Sequence, residues 1–192
     1  MNELEIIRSQ LNVEQTHAAE VANACAAAFG SDVPAAPTQA LGLFREACVS
    51  YLVRLLARFE ERDQTLSELL AARQSRPGEA AAASVQPLAV VIARPGTSRE
   101  ALSRLEAALA AGESPAARGS WQEFGRFFNS AWVPRRAALE RAQAEHLDVA
   151  QWRTVCAIDA DSILDERTRF ARVVAQLPAG IELSRTPAPV RS

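Results

Sequence analysis

The sequence predicts an all-α protein: an antiparallel up-and-down bundle of four or five helices, one of them kinked at Pro134. Three observations carry this. Apolar residues recur at spacings of three and four over long segments, helix-capping pairs stand at several segment starts, and strand signal is slight.

The first helix is expected over Glu3 to Phe29. Leu4, Ile7, Leu11, Ala18, Val21 and Cys25 share a stripe, and Gly30 is the stop. "SDVPAAPT" reads as a linker, and Thr38 can cap a second helix running to Arg73. "SRPGE" ends it. Residues 76–97 are expected to form an apolar loop laid against the bundle, because "PLAVVIARPG" is short and fenced by prolines. Thr97 and Glu100 make a capping box for a short helix that stops at Gly112. Ser120 and Glu123 make a second box, opening a helix from Trp121 to Glu145. Pro134 lies in its middle, removes a backbone donor and should kink it. Asp148 can cap a last helix from Val149 to Gln176. Residues 1–180 then form one domain, and residues 181–192 a flexible tail. Short loops after residues 29, 112 and 146 favour antiparallel neighbours.

Composition narrows the functional classes. The chain has 192 residues, 48% hydrophobic and 23% charged, with a net charge of −2. No basic field points to nucleic acid or an anionic membrane. All 21 basic residues are arginine, which excludes Schiff-base lysine chemistry and a Walker-type phosphate loop. Such arginine and alanine usage fits a GC-rich bacterial genome. Cys25, Cys48 and Cys156 stand far apart inside apolar helical patterns and read as reduced core residues. "MNELEIIRSQL" lacks the basic and apolar regions of an export signal, and no apolar run reaches the roughly 20 residues that span a bilayer. A soluble, cytoplasmic protein is expected.

The candidate functional residues are polar side chains on apolar stripes. In the second helix Asp63 interrupts Leu52, Leu56, Phe59, Leu66 and Leu70. In the last, Asp159 and Glu166 share a stripe with Trp152, Cys156, Ile163, Phe170 and Val174. The first helix places Glu14 inward with His17 beside it, and the proline-containing helix contributes Arg135 after Trp121, Phe124, Phe128 and Ala131. Two readings compete. Glu14, Asp63, Arg135, Asp159 and Glu166 can form a buried polar layer, with Arg58, Arg62, Arg153 or Arg167 reaching in to neutralise the acids. Alternatively Glu14, His17, Glu60, Asp63, Asp159 and Glu166 can supply ligands to iron or manganese. Arginines flank nearly every inward acid, whereas the chain has only two histidines, His17 and His146, which favours the ion-pair layer. His146 closes a helix and is expected to serve its C-terminal dipole. No catalytic nucleophile or phosphate-cradling loop is evident. Trp121, Phe124, Phe127, Phe128 and Trp132 form an aromatic cluster that suits either a helix buried on two sides or a patch for dimerisation or an apolar ligand.

Four segments together resemble the hemerythrin-like (HHE) helical bundles over residues 1–153. "LNVEQTHAAEV" is similar to that family's opening helix with its histidine, here His17. "YLVRLLARFEERDQTLSELLAA" is similar to its second helix, "FNSAWVPRRAALERAQ" to its later ligand helix, and "HLDVAQWRTV" to the segment that follows. The family holds iron with H-x-x-x-E pairs. Here Leu56 and Ala57 stand four residues before Glu60 and Glu61, and arginines occupy 135 and 136. The resemblance therefore implies a metal-free relative, to which only His17 and one glutamate carry over. The expected function is a non-catalytic scaffold or regulatory module, homodimeric or bound to a protein partner.

Overall fold

The computed structural model describes residues 3–30, 38–74, 98–112 and 117–184. Among these are seven α-helices, one π turn and no strand, an all-α architecture. Helix α1 is Glu3–Gly30 and α2 is Thr38–Gln74. Helix α3 is Ser98–Ala111, closed by Gly112 at φ 75°, a conformation glycine adopts without strain. Helix α4, Ala117–Phe127, passes through a π turn, Phe128–Trp132, directly into α5, Val133–His146. Helices α6, Val149–Cys156, and α7, Ala160–Ala175, complete the set. The expected loop at 76–97, the Thr97 cap and residues 185–192 of the expected tail lie outside the described residues.

Two boundaries differ from expectation. The fourth helix begins at Ala117, so Ser120 lies inside its first turn and does not cap it. The segment expected as one helix from Val149 to Gln176 is broken. Ala157 takes a left-handed conformation at φ 45°, ψ 45° and ends α6. Asp159 then restarts the chain: its carboxylate accepts from Ser162 N, and Ser162 Oγ accepts from Asp159 N. Asp148 caps α6 in the same reciprocal way with Gln151.

The π turn governs which residues face inward. Val133 N donates to Phe128 O, five residues back, so the turn holds one residue more than an α-helical turn. It stands immediately before Pro134, which has no N–H to give. Beyond it the inward stripe is advanced by one position. Trp132 is buried where Ala131 was expected, and Arg136, Leu139 and Gln143 follow it.

Helix α1 packs against both α2 and α4. Its small residues Ala18, Ala22 and Ala28 are fully covered. A Cβ added at Gly125 of α4 would lie 2.9 Å from Ala26 Cβ, so the α1–α4 approach requires a glycine there. Contacts between α2 and α7 run in opposite sequence order. Arg172 bonds Glu46, Arg169 bonds Ser50, Arg54 pairs with Asp165 and Arg58 bonds Ser162.

The apolar interior falls into two clusters. The larger contains Val21, Cys25, Phe44, Leu52, Phe59, Trp121, Phe124, Phe128 and Trp132. The smaller contains Ile7, Leu11, Leu66, Leu70, Leu139, Trp152 and Cys156. Ile181 is buried in the larger cluster, and Asn23 Nδ2 donates to Ser184 O at 2.7 Å. The chain is thus anchored through residue 184, beyond the expected start of the tail. No helix among the described residues is long and apolar enough to cross a membrane.

Candidate functional site

The polar layer occupies the boundary between the two apolar clusters. On α1 Glu14 stands between Leu11 and Ala18. On α2 Arg62 and Asp63 stand between Phe59 and Leu66, and on α5 Arg136 stands between Trp132 and Leu139. A polar layer so enclosed is tolerable only if its charges are paired and its hydrogen bonds made.

Glu14 is 0% exposed and Arg62 3%. Arg62 Nη1 donates to Glu14 Oε2 at 2.5 Å and Nη2 to Oε1 at 3.4 Å, so the guanidinium straddles the carboxylate. Arg62 Nε donates to Cys156 O at 2.7 Å, satisfying a carbonyl that the end of α6 leaves open. Arg58, one turn earlier on the same face, lies 3.5 Å from Glu14 Oε1 and donates to Ser162 O at 2.9 Å. One carboxylate and two guanidinium groups thus tie α1, α2, α6 and α7 together.

Asp63 is held from two other helices. Arg136 Nη1 pairs with its Oδ1, and Ser98 Oγ, at the start of α3, donates to Oδ2 at 3.0 Å. The ring of Phe59 separates the two pairs, with Arg62 5.0 Å and Arg136 4.5 Å from its centroid.

Glu166 is also buried, but no arginine among the described residues pairs with it. His17 Nδ1 lies 2.7 Å from Glu166 Oε1, and Tyr51 OH donates to the same oxygen at 2.9 Å. His17 stacks on Phe170 with ring centroids 3.5 Å apart. Burial, reinforced by the neighbouring Glu166 charge, pushes the Tyr51 hydroxyl well above its ordinary range, so it serves as a hydrogen-bond donor and not as a phenolate. The carboxylate orients the imidazole, which is the exposed end of the trio at 22%.

Several expected site residues are placed differently. Asp159 is not part of the layer: it is exposed, and its pKa is lowered by the hydrogen bonds it accepts as the cap of α7. The break at Ala157 turned it out of the stripe. Arg135 is half-buried and Arg136 takes the inward role, because the π turn shifts the register by one residue. Val174 is exposed and Val173 buried, the same kind of shift beyond the break. Arg153 pairs with Glu3 at the surface and does not reach the layer.

The aromatic cluster is interior. Trp121, Phe124, Phe128 and Trp132 are each at most 1% exposed, so the helix is buried and offers no aromatic docking patch. Trp132 stacks on Phe128 at 4.4 Å, and Phe127, half-buried, lies under Arg104.

The alternative metal set does not converge. Glu60 is at the surface against Arg99, Asp159 caps α7, Glu14 and Asp63 face guanidinium groups, and His17 meets Glu166 alone. Among the described residues no three His, Cys, Asp or Glu side chains gather closely enough to hold an ion. Cys25 and Cys156 offer no ready thiolate. Burial, with Cys48 beside it, raises Cys25 well above the ordinary thiol range, and burial pushes Cys156 up to about 12.

Tyr51, Ser98 and Arg136 were not anticipated. Tyr51 carried a signal: it is the only tyrosine and lies seven residues before Arg58, on the same helix face. Ser98 had none, because its partner lies across the fold. No family model matches this chain, and no curated protein or solved structure is similar to it.

Proposed function

We propose that the chain is a non-catalytic helical module of the cytoplasm that works through protein contacts. Its helices follow an antiparallel up-and-down, hemerythrin-like layout with a bend at Pro134. The observation that carries this reading is the capture of Glu14 by Arg62 and Arg58. The acid best placed for chemistry is committed to joining four helices. Opposite running order between α2 and α7 supports the antiparallel part.

A metal-dependent relative would leave Glu14 and His17 free to bind an ion, and here each is engaged by a side chain of another helix. Elemental analysis of protein purified without chelator tests the reading. Metal well below one ion per chain is expected; stoichiometric iron or manganese, lost in His17→Ala, replaces this proposal with the metal-dependent one. A homodimer is the proposed state, although burial of Trp121, Phe124, Phe128 and Trp132 removes the aromatic helix as its interface. Light scattering after size exclusion decides this, and a strict monomer at high concentration rules the dimer out.

A further inference from the structure

Beside the buried layer, α1 and α5 part to form a cleft of about 470 Å³ that reaches Trp152 of α6. That volume falls within the range that takes small molecules. Its walls carry balanced charge. Arg8 and Arg141 contribute two cations, and Glu140 and Glu145 two acids.

None of these four forms an ion pair with another described residue, although Arg8 lies 5.4 Å from the centre of the Trp152 ring. Deeper in, the Gln15 amide faces the Glu140 carboxyl and draws its pKa down against the rise from burial, although Gln15 Nε2 and Glu140 Oε1 lack a well-formed hydrogen bond. Buried polar atoms left in this way favour a ligand that completes them.

We propose that this cleft binds a small zwitterion of the α-amino-acid type, its ammonium on Glu140 and its carboxylate between Arg8 and Arg141. The charge pattern selects this class. A pure anion meets the repulsion of Glu140 and Glu145, and a polyamine meets that of Arg8 and Arg141. A zwitterion satisfies both signs at once, with guanidinium forks suited to a carboxylate. Ala137 and Ala144 supply apolar wall for a side chain. The site goes beyond the role in protein contacts and does not depend on it.

Isothermal titration of the full chain with the standard free amino acids and a set of dipeptides tests the proposal. At least one should saturate, and N-acetylation or C-amidation of that ligand should each weaken it by about tenfold or more, the scale of one lost charge-assisted hydrogen bond. Arg141→Ala and Glu140→Gln should weaken it comparably. Arg99→Ala, whose arginine pairs with Glu60 outside the cleft, should leave affinity unchanged. Arg141 is exposed, so its variant tests the site without threatening the fold. Saturation by none of the zwitterions, equal binding of blocked forms, or affinity retained in both cleft variants overturns it.

Discussion

Replacing Arg62 by methionine removes the guanidinium from the centre of the buried layer while keeping an unbranched side chain of similar reach. Two groups lose partners. Glu14, 0% exposed, is left with Arg58 Nη1 at 3.5 Å as its remaining cation. Breaking a buried ion pair from one side costs about 3–5 kcal/mol, and the surviving Arg58 contact places this case near 3. The Cys156 carbonyl loses its donor at 2.7 Å, adding about 1 kcal/mol. The sum, about 4 kcal/mol, is a large share of the roughly 5–15 kcal/mol that stabilises a domain. With a urea slope of about 2 kcal/mol per molar, the unfolding midpoint should fall by about 2 M. Circular dichroism and tryptophan fluorescence should report the same transition. The double variant Glu14→Leu with Arg62→Met replaces both charges by apolar volume and should recover to within about 1 kcal/mol of the parent. A midpoint shift below about 0.5 M in Arg62→Met, or a double variant as unstable as the two singles combined, would refute a coupled buried pair.

Three further outcomes are expected. Tyr51→Phe removes one of the two hydrogen bonds to Glu166 Oε1 and should cost about 1–2 kcal/mol in urea unfolding; no loss would mean the hydroxyl is not bonded there. Gly125→Ala should destabilise despite its better helix propensity, because the new methyl meets Ala26 Cβ at 2.9 Å, whereas Gly42→Ala, with nothing within 4 Å, should stabilise by about 1 kcal/mol; equal effects at the two sites would contradict the close α1–α4 contact. Glu140 has its pKa raised by burial, so its contribution to stability is complete below the ordinary carboxylate range and is lost as pH rises through the folded value. Glu140→Gln should therefore gain thermal stability over the parent at neutral pH and match it in acid, and a gain that persists unchanged at low pH would assign the effect to something other than ionisation.

Much of this was legible in the sequence. The apolar spacing of α1 and α2 fixed their extents to within a residue, because long amphipathic helices repeat their signal over many turns. Glu14 and Asp63 were legible as inward acids because both helices run without interruption past them. The misreadings share one physical cause. A helical wheel assumes constant pitch, and pitch changes in two places. The π turn at Phe128–Trp132 moved the inward arginine from 135 to 136, and the left-handed Ala157 released Asp159 to the surface. Neither event leaves a glycine behind as a marker. Pro134 hinted at the first, but a proline alone does not say whether a helix bends or widens. The Asp159–Ser162 pair was the signature of the second, and it was eclipsed by an apolar pattern that ran through it.

The widened turn also acts as a rotary joint. It stores one residue of surplus length in a rod that otherwise turns by about 100° per residue. Winding the same residues at uniform pitch would rotate everything distal by about that angle relative to the proximal half, and Arg136 would swing off Asp63 and Leu139 off its cluster. Excising the exposed Ser130 would instead remove the surplus residue, letting the turn close to uniform pitch with Arg136 and Leu139 still facing inward. The widened turn therefore sets the angular alignment between the two apolar clusters.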